Sequence, residues 1–210
     1  MKLVDRDIEI MRELERWRFL LSRHIGAFAG FRNRSKAINR RIRKLLNEGF
    51  IERRNILYGV PPLYVVATKG KKIIDAPARK QSIKIEQIRH DIFVRDTALF
   101  FHQFGIPFSE IITEKELYQA EGFGVRKHQP DFVISHKGKQ VCIEVEISLK
   151  AKKRMLKNIQ NNFNAYDRQI WIIPKEEKRI ERILIGAQKR YTGIQLKYTE
   201  EITKYVSENY

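Results

Sequence analysis

Residues 35–67 constrain the fold of this chain most, because a helical pattern of apolar residues gives way there to two short extended segments. Ile38, Ile42 and Leu45 recur at helical spacing after Ser35, a residue type that favours the N-cap of a helix. Gly49 follows, as glycine often does just past a helix end. Residues 50–54 and 63–67 are predicted strands on either side of a Gly-Val-Pro-Pro turn. The segment therefore predicts a helix followed by a β-hairpin.

Two further helices are predicted upstream of this segment and one downstream. Asp5 can begin the first, whose apolar residues lie close to helical spacing up to residue 17, and the second covers residues 20–28 and ends near Gly30. Thr68 is well placed to begin the last. The order helix, helix, helix, strand, turn, strand is that of a winged helix-turn-helix, and we predict this fold for residues 1–76.

The helix that begins at Ser35 is strongly basic. The segment from Arg32 to Asn47 contains seven Lys or Arg residues and no Asp or Glu. A helix face that is merely solvated usually mixes charges of both signs, so this segment favours contact with a polyanion. One packed face and one cationic face are what a DNA recognition helix needs. The residues predicted to contact DNA are Arg32, Arg34, Ser35, Lys36, Asn39, Arg40, Arg43 and Lys44, together with Arg53, Arg54 and Tyr58 on the hairpin.

The charge of the whole chain supports a nucleic-acid partner. Its 210 residues include 42 Lys or Arg and 25 Asp or Glu, for a net charge of +17. Residues 1–80 hold 20 of those cations and only 8 of the acids. Such a charge attracts polyanions. The sequence contains no apolar run of the roughly 18 residues that span a bilayer and begins with no signal-peptide core. We therefore expect a cytoplasmic protein that binds double-stranded DNA and no membrane.

Several short segments resemble the replication-relaxation family. They are Asp5-Arg6-Asp7-Ile8-Glu9-Ile10, Arg18-Phe19-Leu20, Leu46-Asn47-Glu48-Gly49-Phe50-Ile51, Pro61-Pro62-Leu63-Tyr64 and Thr68-Lys69-Gly70. The resemblance implies a DNA-binding protein of a plasmid or other mobile element. Such a protein acts as an accessory or regulator of replication, of DNA relaxation and mobilisation, or of transcription, with replication or relaxosome proteins as partners. A homodimer on an inverted repeat is a natural expectation.

The second half of the chain predicts a separate α/β domain. Residues 77–82 have the composition of a linker, so residues 1–76 are expected to fold alone. Strands then alternate with helices over residues 83–210, which predicts a mixed sheet. Cys142 is the only cysteine, which excludes an internal disulfide and a zinc site built from several cysteines.

The predicted strand at residues 140–148 alternates apolar residues with Glu144 and Glu146, which therefore share one face. Such alternation is also ordinary for a half-exposed strand. Asp131 begins the strand before it. An Asp followed on the next strand by acid-x-acid resembles the PD-(D/E)XK nuclease superfamily.

That resemblance implies a catalytic site of Asp131, Glu144 and Glu146, with Glu146 in place of the usual lysine. Asp131 and Glu144 would hold Mg²⁺ or Mn²⁺, because carboxylate oxygens suit such ions and the bound ion can activate water against a phosphodiester. Two hypotheses stay open. The chain is a DNA-binding accessory or regulator, or it is a metal-dependent endonuclease targeted by its winged helix.

Overall fold

The chain forms two compact units. The computed structural model describes residues 2–30, 35–79, 82–122, 128–148 and 151–210. The first unit comprises Met1–Leu99 with Asn209–Tyr210, and the second Phe100–Glu208. The division falls inside one helix and not at residues 77–82, where the sequence predicted a linker. Within the described part of the chain, no helix combines the length and the apolar character needed to cross a membrane.

The first unit has the element order that the sequence predicted. Its helices and strands are α1 (Asp5–Arg16), α2 (Ser22–Phe28), α3 (Ser35–Asn47), β1 (Ile51–Arg54), β2 (Leu63–Val66), α4 (Thr68–Ile73), a 3-10 turn (Ile85–Gln87) and the start of α5 (Ile88–His102). β1 and β2 pair antiparallel, with Ile51 opposite Val66. Leu20 forms an isolated bridge with Tyr64, so the segment between α1 and α2 joins this hairpin.

The core of the first unit brings one helix unusually close to the backbone of another segment. Ile10, Met11 and Leu14 of α1 are buried, as the helical spacing predicted. In α4, a Cβ atom added to Gly70 would lie 2.2 Å from the carbonyl oxygen of Phe50. No side chain fits in that space, so this contact requires glycine.

The first part of α5 belongs to the same core, which explains where the chain divides. Ile88 is buried in a cluster with Phe19, Leu21, Leu63 and Val65. Polar contacts reinforce this packing. Nε of Arg95 donates to the carbonyl oxygen of Phe19 at 2.8 Å, and Arg23 and His24 both bond the carboxylate of Asp96 at 2.8 to 2.9 Å. The part of α5 up to Leu99 therefore packs with the first unit, whereas the sequence predicted a second domain from residue 83.

The second unit is a mixed α/β structure. After a 3-10 turn (Phe108–Glu110) it contains β3 (Ile111–Thr113), α6 (Glu114–Glu121), β4 (Phe132–His136), β5 (Lys139–Val145), α7 (Lys152–Ala165), β6 (Arg168–Ile173), α8 (Lys178–Gln188), β7 (Ile194–Tyr198) and α9 (Thr199–Asn209). The sheet has five strands in the order β3-β4-β5-β6-β7. β3, β4 and β5 pair antiparallel, whereas β5, β6 and β7 pair parallel through the crossover helices α7 and α8. The predicted mixed sheet is confirmed.

Both faces of this sheet are packed. On one face, Met155 and Ile159 of α7 and Leu184 of α8 enclose Trp171 of β6. The other face is packed near β4, where the rings of Phe132 and Phe101 form a T-shaped contact with centroids 6.3 Å apart. The central strands are therefore buried on both sides, as expected for strands with parallel neighbours.

Candidate functional site

The exposed face of α3 carries most of the predicted DNA contacts. Ile38, Ile42 and Leu45 are buried, and the opposite side of the helix is exposed to solvent. The exposed side chains are those of Lys36, Asn39, Arg40, Arg43 and Lys44. Arg32 and Arg34 lie outside the described residues, as does the side chain of Ser35. The described part of the face therefore presents four cations and an amide.

Arg41 differs from its basic neighbours. Its guanidinium makes two bonds to the carboxylate of Asp7 in α1, whose side chain is 0% exposed. Asp7 also accepts the backbone N–H of Val4 at 2.9 Å. A buried charge is stable only when it is paired in this way. Arg41 therefore anchors α3 to α1.

The hairpin presents two of its three predicted contact residues freely to solvent. Arg53 on β1 is exposed, and Tyr58 in the connecting loop is fully exposed. Arg54 is half-buried, and its Nη2 lies 3.0 Å from a carboxylate oxygen of Glu52. Because that ion pair offsets part of its charge, Arg54 offers less to a phosphate than Arg53 does.

The carboxylate of Glu144 lies inside the second unit. Glu144 pairs with Trp171 in the parallel register of β5 and β6, which directs it to the face that α7 covers. Its side chain is buried, and its Oε1 accepts a hydrogen bond of 2.8 Å from Nδ2 of Asn162 in α7. Nε2 of His128 lies 2.6 Å from the same oxygen. The alternation in β5 thus marks two buried faces, and the half-exposed alternative is wrong for this strand.

Asp131 lies beside the end of β5. Its Oδ2 accepts the backbone N–H of Val145 at 2.7 Å, which brings it next to the residue that follows Glu144. Glu146 lies just past β5 and is buried, and its backbone N–H donates to the carbonyl oxygen of Ile172 at 2.9 Å. The structure therefore gathers the three predicted acidic residues near one strand end.

These side chains do not fit the metal site that the resemblance implied. Mg²⁺ takes several oxygen ligands in a near-octahedral arrangement. Among the described residues, no group of three or more His, Cys, Asp or Glu side chains is arranged to hold a metal ion. One oxygen of Glu144 already has two side-chain partners, and Oδ2 of Asp131 accepts a backbone N–H.

A polar cavity of about 910 Å³ lies next to Glu144. Its lining includes Asn158, Asn161 and Asn162 of α7, whose spacing places their amides on one helix face. This cluster was not predicted, although three asparagines at helical spacing are a sequence signal for it. Burial, and then neighbouring negative charge that includes Glu121 and Glu144, raise the pKa of Tyr166 to about 12. Its hydroxyl therefore stays protonated, and it donates to Oε1 of Gln129 at 3.4 Å.

Cys142 supplies no nucleophile to this region. The thiol is buried, and that burial raises its pKa well above the ordinary value. A thiol that stays protonated is inert towards most electrophiles.

Comparison with known proteins gives no family for this chain. No protein-family model matches it, and none of the curated proteins does. The side chains described above are therefore the main support for the functional proposal.

Proposed function

We propose that this chain binds double-stranded DNA through α3 and the β1–β2 hairpin. The observation that carries the proposal is the exposed face of α3. Lys36, Arg40, Arg43 and Lys44 lie there above a buried apolar face, and residues 35–47 contain no acid. A helix with one anchored face and one cationic face can enter the major groove. Three helices followed by a hairpin also support a winged helix, with α3 as its recognition helix.

Five of the exposed side chains have definite roles in DNA binding. Arg40 and Arg43 can bind guanine edges or phosphates with two parallel hydrogen bonds, and Lys44 contributes a point charge. Arg53 and Tyr58 on the hairpin would contact the adjacent backbone or minor groove. The Arg41–Asp7 pair keeps the helix in position without touching DNA. The short segments that resemble the replication-relaxation family further support a role in replication, mobilisation or transcription of a mobile element.

Salt-dependent binding of a labelled random-sequence duplex tests the proposal. Replacing Arg40, Arg43 and Lys44 together by alanine should weaken binding at least about tenfold. It should also reduce the slope of log affinity against log salt by up to about 2.7, since each phosphate contact contributes about 0.9. The control variant replaces Arg12, Lys72 and Lys84, three exposed cations of the same unit that lie outside α3 and the hairpin. An unchanged affinity and slope in the α3 variant would contradict the proposal.

Metal-dependent DNA cleavage is the second candidate function. The observation in its favour is that Asp131 and Glu144 lie near each other beside the end of β5. The test incubates supercoiled plasmid with the protein and Mg²⁺ or Mn²⁺, with Glu144→Gln as the control. We expect the plasmid to stay supercoiled, because Glu144 is held by His128 and Asn162. Nicking that requires Glu144 would establish cleavage instead.

A further inference from the structure

Besides the cationic face of α3, the chain has a cationic groove in its second unit, between α7 and α8. It has a volume of about 760 Å³. The described residues that line it include five cations and no acid, namely Lys152, Lys153, Lys157, Arg182 and Arg190. A solvated pair of helices would normally mix charges of both signs. The groove therefore concentrates positive potential in the unit that does not contain α3.

Apolar and aromatic groups lie between these cations. Leu156 is 37% exposed, and Ile183 and Tyr191 line the groove beside it. Phe163 packs against Tyr191 with ring centroids 5.2 Å apart, and the guanidinium of Arg190 lies 5.4 Å from the centre of the Tyr191 ring. The groove thus offers planar surfaces as well as charge.

Gly186 lies in α8 at the wall of this groove, and the fold does not require it. A Cβ atom added there meets nothing within 4 Å. Its φ is not in the left-handed region either, so a side chain would cause no backbone strain. Glycine weakens a helix interior relative to alanine. Its effect here is to leave space in which a ligand can approach the helix backbone closely.

We propose that the α7–α8 groove binds single-stranded nucleic acid. Its five cations would neutralise successive phosphates, while unpaired bases would stack on Tyr191 and Arg190 and lie over Leu156 and Gly186. A duplex keeps its bases stacked inside and would leave the apolar groups without contacts. An acidic protein segment could pair with the cations, but it would not need the planar surfaces for stacking. This inference does not rest on duplex binding by α3.

The first test measures binding of a labelled oligothymidylate of about 20 nucleotides to the full chain by fluorescence anisotropy. The chain carries the three α3 alanine substitutions, so that binding by the first unit is suppressed. Gly186→Leu fills the groove without changing its charge and should weaken binding at least about tenfold. Its melting temperature should be unchanged or higher. Ile185→Leu is the control, because Ile185 is exposed on the same helix but does not line the groove.

A pair of charge variants keeps the test independent of that substitution. Arg182→Gln with Arg190→Gln removes two cations from the groove, and Arg179→Gln with Lys189→Gln removes two exposed cations of the same region outside it. Only the first pair should lower the salt slope, by about 1.4, since each contact to a single strand contributes about 0.7.

Three results would overturn the proposal. The first is undiminished binding by both Gly186→Leu and the groove charge pair. The second is equal affinity for an abasic sugar-phosphate oligomer of the same length, which would show that bases make no contact. The third is equally effective competition by poly-glutamate of matched charge, which would indicate an acidic protein segment as the occupant.

Discussion

Arg40 and Arg41 are adjacent on α3, yet their side chains lie in different surroundings. Arg40 is exposed, whereas Arg41 is bonded to the buried carboxylate of Asp7. Arg41→Met should lower the free energy of unfolding by about 2 to 4 kcal/mol, because it leaves a buried carboxylate without its partner. Arg40→Met should change stability by less than about 0.5 kcal/mol and weaken duplex binding instead. Urea unfolding and duplex anisotropy measure the two effects separately.

The opposite pattern would show that Arg41 contacts DNA directly. In that case Arg41→Met would remove duplex binding while leaving the urea midpoint unchanged. The anchor described for α3 would then be wrong, and the exposed face would have to include Arg41.

His24 should make the stability of the first unit depend on pH. Complete burial lowers the pKa of His24 to about 4, although its bond to Asp96 opposes that shift. An unfolded histidine binds a proton as the pH falls below about 6.5, while the folded one stays neutral until about pH 4, so stability is lost between those values. The pKa of Asp96 is also lowered, and at lower pH it adds a loss of the same sign.

The expected loss from His24 is about 2 kcal/mol between about pH 7 and about pH 5. His24→Gln should remove most of this difference, since glutamine does not titrate. Fluorescence of Trp17 in a Trp171→Phe background reports on the first unit alone. An equally steep pH dependence in His24→Gln would assign the effect to another group.

The local pattern of residues in the sequence predicted the helices and strands of the first unit well and those of the second unit less completely. Helical spacing and turn residues were enough for α3 and the hairpin, because these elements are encoded by near neighbours. α6 was missed although Thr113 and Glu116 form a reciprocal capping box, with the Thr113 N–H donating to Glu116 at 2.7 Å. α9 was missed as well, because it begins directly after β7 without any turn residue to separate them.

Contacts between segments that are far apart in the sequence could not be predicted from the spacing of residues. The bond between Glu144 and Asn162 depends on how α7 packs over β5, and the bonds from Arg23 and His24 to Asp96 depend on how α5 packs beside α2. Residue spacing contains no information on either. For the same reason, residue spacing could not predict that the carboxylate of Glu144 is already bonded to His128 and Asn162.

The packing of α5 changes the fragment expected to fold alone. A chain of residues 1–76 would expose Phe19, Leu21 and Leu63 where Ile88 covers them, and would leave Arg23 without Asp96. Residues 1–99 keep these contacts. We therefore expect the longer fragment to melt cooperatively at a clearly higher temperature, measured by circular dichroism. Equal melting temperatures would show that α5 contributes little to the first core.

For the whole molecule, divalent cations should have no specific effect on stability. Mg²⁺ raises a melting temperature only by binding the folded state preferentially. One oxygen of Glu144 is already bonded to His128 and Asn162, so the melting temperature should be the same with Mg²⁺ as with a matched concentration of an inert salt. Glu144→Gln should destabilise the chain with or without metal, because a neutral amide oxygen accepts weaker hydrogen bonds from His128 and Asn162 than a carboxylate does. A gain from Mn²⁺ that Glu144→Gln abolishes would restore the metal hypothesis.

The contact between Gly70 and the Phe50 carbonyl oxygen limits how this sequence can diverge. Alanine at position 70 would place a carbon 2.2 Å from that oxygen, and another atom, Val66 Cγ2, would lie only 2.9 Å away. At position 186 no such obstacle exists. In a library randomised at both codons and selected only for a folded chain, position 70 should return glycine almost alone, while position 186 should return many residues. Deep sequencing before and after selection would measure that difference in tolerance.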